Sequence, residues 1–373
     1  MEQIGAREEI LNDVHIKEIR LREFMQKEDL DAVILNRQDN FAWFTCGGDN
    51  RVITTSESGF AFLVITATQK WIVAHSIDLQ RFMEEQVEGQ GFEPVSLLWF
   101  EGAPLDKALE LVRGQKVAAD VPAPGTRYLG SEITALHTPF TDLELHRLRW
   151  VGKTSHKLLT KVAGEILPGM SEMEIAARIQ EAYTQQGLTV DVLIVGVDER
   201  ISRYRHPLPT QRVLEKYALL HPAGRRWGLH ANVTRLVHFG QPTEEIQRAV
   251  NGVLTIEGRI MGMLSDGMRY ADILTAQKQW YAEVGFPDDW KYHFQGGTTG
   301  YTLADPTHSL KAVATVRNRM AFDYFVTITG AKAENLSLLT ADGLEIVSKG
   351  DDWPVKTVQN PSGMIEVPDM LIR

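Results

Sequence analysis

Polar and apolar positions alternate along the stretch His206–Arg235. A run of apolar residues ends at His221, Gly224–Arg226 interrupts it, and a second run sets His230, Asn232 and Thr234 two apart. Residues two apart share a face of a strand, so this rhythm predicts a hairpin closing around Gly224–Arg226, with His221 opposite His230 and Asn232 on one face. Polar side chains on an inward face are costly without partners, which marks the hairpin as a candidate site.

Other periods predict the surrounding elements. Apolar positions from Val14 to Lys27 have helical spacing, with Asp13 as N-cap. The run DAVILN suits a buried strand, and NFAWFTCGG and GFAFLVITATQKWIVAH read as strands broken by turns. This rhythm defines a mixed α/β unit ending near Pro139. Residues 143–166 form a long amphipathic helix, and Ser171 opens the next with Glu174 at the capping-box offset. A second helix pair, 247–263 and 270–284, repeats the arrangement about one hundred residues later. The segment PGMSEMEIAARIQEAYTQQG is echoed by DGMRYADILTAQKQWYAEVG, which predicts two related α/β halves of one domain facing a central site. The expected division is residues 1–140 and 141–373.

Composition narrows the function classes. Of 373 residues, 43% are hydrophobic and 24% charged, as in ordinary soluble globular chains, and the length suits two or three domains. A net charge of -10 argues against a nucleic-acid surface. No apolar run reaches membrane-span length and the N-terminus is charged, so the expectation is a cytoplasmic protein without membrane contact. One cysteine, Cys46, allows neither an internal disulfide nor a cysteine-based metal cluster.

Motif order adds a resemblance. PGMSE between two helices, His206 followed by PLPTQR, a hairpin ending in NVTR, then HFQGGTTGY and AENLSLLTADG follow one another as in the creatinase, prolidase and aminopeptidase P family. The resemblance spans the whole chain. It implies an α/β (α+β) fold, with a C-terminal pita-bread domain behind a smaller N-terminal α/β domain, and a homodimer.

The peptidases of that family hold two metal ions with two Asp, one His and two Glu. Matched motif by motif, those five positions carry His221, Asn232, Gly297, Phe325 and Glu334 here. The family's His-Glu-x-Pro motif falls near Ala304-Asp305. Only Glu334 survives, and glycine and phenylalanine offer no donor, so the resemblance implies that the binuclear site is lost and that no metal or other cofactor is used. His206 stands where the family keeps a substrate-contacting His, and His293 matches another family His. Creatinase itself cleaves a C–N bond without metal, with a His as acid and base. Where its active-site Glu would stand on the hairpin, this chain has Thr234.

Each candidate has a plainer reading beside the functional one. His206 suits proton transfer at neutral pH, or caps a loop. Glu334 holds or polarises a substrate, or keeps an inherited ion pair. His221, His230 and Asn232 line the pocket, and a rearranged metal site of His221, His230, His293 and Glu334 is the less favoured alternative. His293 and Tyr301 flank glycines that let backbone approach a ligand, or that only make a turn. Arg235 binds substrate or forms a structural ion pair. Trp43 and Arg51 are lid candidates in the N-terminal domain, and Arg225-Arg226 a solvated tip.

The resulting expectation is a metal-independent hydrolase of a C–N bond in a small amide, amidine or short peptide. His206 and Glu334 are its catalytic residues. The alternatives are an inactive peptide- or metabolite-binding module and a metal-dependent prolidase-like or aminopeptidase-like enzyme.

Overall fold

The computed structural model describes residues 4–303 and 314–373. The described residues divide into two compact units, one up to Leu143 and one from Glu144 onward. Each is described by itself.

In the first unit α1 (Arg7–Lys27) leads into β1 (Ala32–Arg37), α2 (Gln38–Phe44), β2 (Ser58–Thr66), β3 (Lys70–His75) and α3 (Ser76–Arg81). Then come β4 (Glu93–Leu97), α4 (Pro104–Leu111), β5 (Val117–Ala119), β6 (Arg127–Tyr128) and α5 (Ser131–Thr134). The strands form one sheet in the order β4-β3-β2-β1-β5-β6. Helix α1 starts seven residues earlier than its apolar spacing predicts, so Asp13 is not its N-cap but lies inside it, buried and paired with Lys17 at 2.5 Å. The segment expected to be a strand at Phe41–Phe44 is helical. All four residues are buried, and an apolar run buried on every side carries no period to tell helix from strand.

Helix α6 (Asp142–Glu165) enters the second unit at Glu144 and is followed by α7 (Glu172–Gln185), the latter capped by the Ser171–Glu174 box. There follow β7 (Thr189–Val197), α8 (Glu199–Arg203), β8 (Tyr217–Arg226), β9 (Leu229–Asn232) and β10 (Arg235–His238). After α9 (Glu244–Met263) and α10 (Tyr270–Glu283) come β11 (Gly297–Thr299), β12 (Met320–Asp323), β13 (Val326–Ile328), β14 (Ala331–Ala333), β15 (Ser337–Thr340) and β16 (Gly343–Ile346). The chain closes with β17 (Val355–Asn360), β18 (Gly363–Pro368) and β19 (Leu371–Ile372). One sheet runs β19-β10-β8-β7 with β9 on β8, and another runs β11-β12-β15-β16.

The internal echo has a structural counterpart. Ser171 before α7 bridges Val213, and Arg269 before α10 bridges Thr315, both antiparallel. Helix α9 supplies the apolar centre of this unit, where Val253, Ile256 and Ile260 pack with Ile273, Tyr281, Phe322 and Ile328. No helix among the described residues is long and apolar enough to cross a membrane.

Candidate active site

The hairpin turn falls two residues beyond its expected place. Strand β8 continues through Arg226, and Trp227 and Gly228 turn the chain with φ of 54° and 78°. Two successive positive φ angles match the twist of a two-residue hairpin, and Gly228 adopts one without strain. Arg225 therefore pairs with His230 and Ala223 with Asn232, so His230 lies toward the turn, away from His221. A bulge between Val190 and Val192 leaves Asp191 unpaired in β7, and its carboxylate reaches His230 at 3.2 Å and Arg225 at 2.8 Å.

Two segments that the echo places on opposite halves meet at a cavity of about 330 Å³. His206, Leu208, Val192, Ile194, His221 and Asn232 line it from one half, and His293, Phe294, Leu303, Phe325, Lys332 and Glu334 from the other. At its mouth, Nε2 of His206 lies 2.9 Å from Nε2 of His293, and Nδ1 of His293 lies 2.5 Å from the Phe294 carbonyl oxygen. A carbonyl only accepts, so the proton of a neutral His293 is on Nδ1 and its Nε2 is the acceptor. His206 must then donate from Nε2, which leaves its Nδ1 unprotonated. Burial holds the His293 imidazole down at about 4, and burial with the Lys332 charge lowers His206, so both rings are neutral at pH 7.

Deeper in, Nζ of Lys332 lies 2.8 Å from Glu334 and 5.6 Å from the centre of the Phe325 ring. Burial pushes the Glu334 carboxyl up from its ordinary range, and the neighbouring Lys332, Asp323 and Thr234 side chains partly offset that push. Nδ1 of His221 lies 3.0 Å from the Thr234 hydroxyl and 3.4 Å from Glu334. Burial, followed by the Lys332 charge, drives the His221 imidazole well below its ordinary range. Asp323 is raised well above the usual carboxylate range by burial and by the neighbouring Glu334, and its Oδ2 accepts from the Asn232 backbone N–H at 3.1 Å.

Neither Lys332 nor Asp323 is among the residues expected from the sequence. Lys332 is the middle residue of the short strand β14 and stands two before Glu334, which follows directly after it, and that spacing is the signal that predicts a shared face. Asp323 ends the buried run MAFD and carries no comparable mark.

Five expected residues lie elsewhere. Tyr301 donates its hydroxyl to Glu144 at 2.7 Å and does not line the cavity. Both ring nitrogens of His230 are engaged, Nδ1 with Gly300 O at 2.9 Å and Nε2 with Asp191, so it neither lines the pocket nor joins a metal set. Arg235 is buried and holds Thr234 O, Asn335, Ser348 O and His156, which makes it a structural clamp. Trp43 is fully buried in its own unit against Phe44 and His137, so it offers no lid surface. Arg51, also a lid candidate, is tied to Asp49 at 2.6 Å. Of the supposed solvated tip, Arg225 is buried on Asp191. Ala304-Asp305 lies outside the described residues.

Residues 146–329 match the family model of Metallopeptidase family M24, and residues 19–120 match that of the Creatinase/Prolidase N-terminal domain. The chain belongs to the creatinase/prolidase family. An uncharacterized peptidase of Staphylococcus epidermidis is 18% identical over 356 residues, covering 90% of this chain and 98% of that one. One of Staphylococcus haemolyticus is 22% identical, but the match spans 56% of this chain and only 62% of the relative. Among solved structures, the Xaa-Pro dipeptidase from Bacillus anthracis superposes with a TM-score of 0.75 at 16% identity, covering 96% of this chain and 100% of that one. Dipeptidase PepE from Mycobacterium ulcerans gives 0.77 at 16%, covering 97% and 98%. The fold is therefore the mixed α/β arrangement of the family, with a pita-bread C-terminal domain.

The family's two-metal centre can be tested against this cavity. At the five matched positions stand His221, Asn232, Gly297, Phe325 and Glu334, and two of these have no donor atom. The surviving carboxylate already pairs with an ammonium ion, whose charge repels a second cation. These residues do not fit a binuclear metal centre.

Proposed function

We propose that this chain is a metal-independent hydrolase that cleaves a C–N bond in a small amide, amidine or short peptide. One observation carries the reading: the His206–His293 pair at the cavity mouth, whose proton order leaves Nδ1 of His206 free to accept. In this mechanism Nδ1 takes a proton from water as the oxygen adds to the substrate carbon. The protonated ring then passes that proton to the departing nitrogen as the C–N bond breaks, giving an amine together with an acid from an amide or peptide, or an amide from an amidine. Glu334 acts at one remove, because its carboxylate fixes Lys332. A cytoplasmic location and a homodimeric state belong to the same proposal, the second checked by light scattering.

The test is a substrate panel of amides, amidines and dipeptides run on protein purified without chelators and assayed for metal content. The expected outcome is turnover without bound metal, lost in His206→Ala. Two equivalents of manganese, cobalt or zinc that support activity would replace this reading with a metallopeptidase. Binding without turnover of any panel member would replace it with a binding module.

A further inference from the structure

Two polar groups of the cavity wall have unused hydrogen-bonding capacity. The Lys332 ammonium is 4% exposed and carries three N–H donors, yet among the described residues its one polar partner is Glu334. The Asn232 side chain is 2% exposed, and its Nδ2 donates to Leu303 O at 3.3 Å. That bond orients the amide, and Oδ1 of Asn232 has no hydrogen-bond partner among the described residues. Buried donors and acceptors left unpaired are costly, so a pocket that exposes one of each is complementary to a ligand that supplies both.

From this geometry we infer that the cavity recognises an uncharged secondary amide, its carbonyl oxygen accepting from Lys332 and its N–H donating to Asn232 Oδ1. The inference rests on the proposed hydrolase and names its substrate class. Charge favours the uncharged group: Lys332 and Glu334 already cancel, and a carboxylate added among Val192, Ile194, Leu208, Phe294 and Phe325 would be a buried charge without a counterion. These walls suit a small aliphatic or aromatic acyl group. Lys332 thereby gains a catalytic task. As water adds to the carbonyl carbon, negative charge gathers on the oxygen that Lys332 already holds, and an ammonium aimed there stabilises it. The N–H requirement also separates this pocket from an Xaa-Pro site, since the nitrogen of an Xaa-Pro bond carries no hydrogen.

The experiment is calorimetric titration with three matched probes: N-methylisovaleramide, its N,N-dimethyl analogue, and isovalerate. The secondary amide is expected to bind at least tenfold tighter than isovalerate and at least fivefold tighter than the dimethyl amide. Lys332→Met should weaken it at least tenfold and Asn232→Leu about fivefold, each variant being checked by circular dichroism. If Lys332→Met alone fails to fold, Lys332→Met/Glu334→Gln removes both charges together. The 15N signal of the wild-type Lys332 ammonium, expected to shift on adding the amide, gives a readout free of mutation. Preference for isovalerate or the dimethyl amide overturns the inference, as does equal amide binding by the Lys332 variant or no binding of the amide to wild type. Turnover is scored separately. Lys332-dependent binding without hydrolysis sinks the hydrolase reading alone, whereas hydrolysis indifferent to Lys332 sinks this inference alone.

Discussion

The Nε2 atoms of His206 and His293 face each other at 2.9 Å, and the Phe294 carbonyl decides which of the two carries the proton. The expected outcome in a 15N–1H spectrum of imidazole nitrogens at pH 7 is His293 protonated at Nδ1 and His206 at Nε2. His293→Phe removes the acceptor, so His206 should become a mixture of tautomers while the fold persists. Activity should follow, with kcat falling at least tenfold and KM changing less, because the base loses its orientation rather than its contact with substrate. A wild-type His206 protonated at Nδ1 would refute the assignment.

Acid should weaken the N-terminal unit through His137. Burial pushes this imidazole down to about 4, and Nε2 lies 2.8 Å from Asn40 Oδ1. The unfolded chain accepts a proton near pH 6.5 and the folded one refuses it until about 4, so stability is full above 6.5 and falls as the pH drops toward 4. The shift corresponds to on the order of 3 kcal/mol. Asp120 works the other way, since burial raises its carboxyl to about 6 and the folded state binds that proton more tightly. The clean measurement is therefore a difference. His137→Gln should flatten the pH dependence of urea unfolding between 6.5 and 4 relative to wild type, and an unchanged slope would exclude the role.

How far these features can be read from sequence depends on whether they leave a period. Helix α7 is legible from its cap and α9 from its spacing, and the echo between Ser171 and Arg269 survives as matching bridges. Phe41–Phe44 had no period to read, and the hairpin turn was displaced because Trp227 gives no sign of a positive φ. At the site, His206, His221, Asn232, His293 and Glu334 were predictable from motif order, and the cavity gathers them. Lys332 escaped because a lysine in a three-residue strand reads as solvent-facing until its strand proves buried on both faces.

Gly296 should tolerate no side chain. Its φ is +78°, and a Cβ there would stand 2.2 Å from the Asp323 carbonyl oxygen and 2.7 Å from the Phe325 backbone nitrogen. Phe325 N bonds Gln295 O at 3.1 Å, so any shift reaches the cavity wall. Gly267 is the control, with φ of +86° and nothing near its would-be Cβ. Gly267→Ala should cost about 1 kcal/mol from backbone strain alone, and Gly296→Ala more than about 3 kcal/mol or all soluble protein. Equal losses in denaturant melts would show that the collision relaxes away.

Arg235 should matter for stability rather than for substrate. Its guanidinium reaches Thr234 O at 2.7 Å, Asn335 Oδ1 at 3.0 Å, Ser348 O at 2.5 Å and His156 Nδ1 at 3.1 Å. Thr234 and Glu334 are themselves joined by a backbone hydrogen bond of 3.0 Å, so the clamp fastens the two strand ends that carry the deep part of the cavity. Asn335 passes the contact on to Glu257, whose carboxyl burial raises to about 8, leaving it mostly protonated at neutral pH. Arg235 is thus a buried cation held chiefly by neutral acceptors. Lysine cannot reproduce a planar fork that serves four acceptors in fixed directions. Arg235→Lys is expected to lower the unfolding free energy by about 2 kcal/mol, and Arg235→Met by roughly 3–5 kcal/mol because those acceptors are left unpaired. At a temperature where Arg235→Lys remains folded, its affinity for N-methylisovaleramide should lie within about twofold of wild type. A tenfold loss of affinity with little change in stability would return Arg235 to the substrate site.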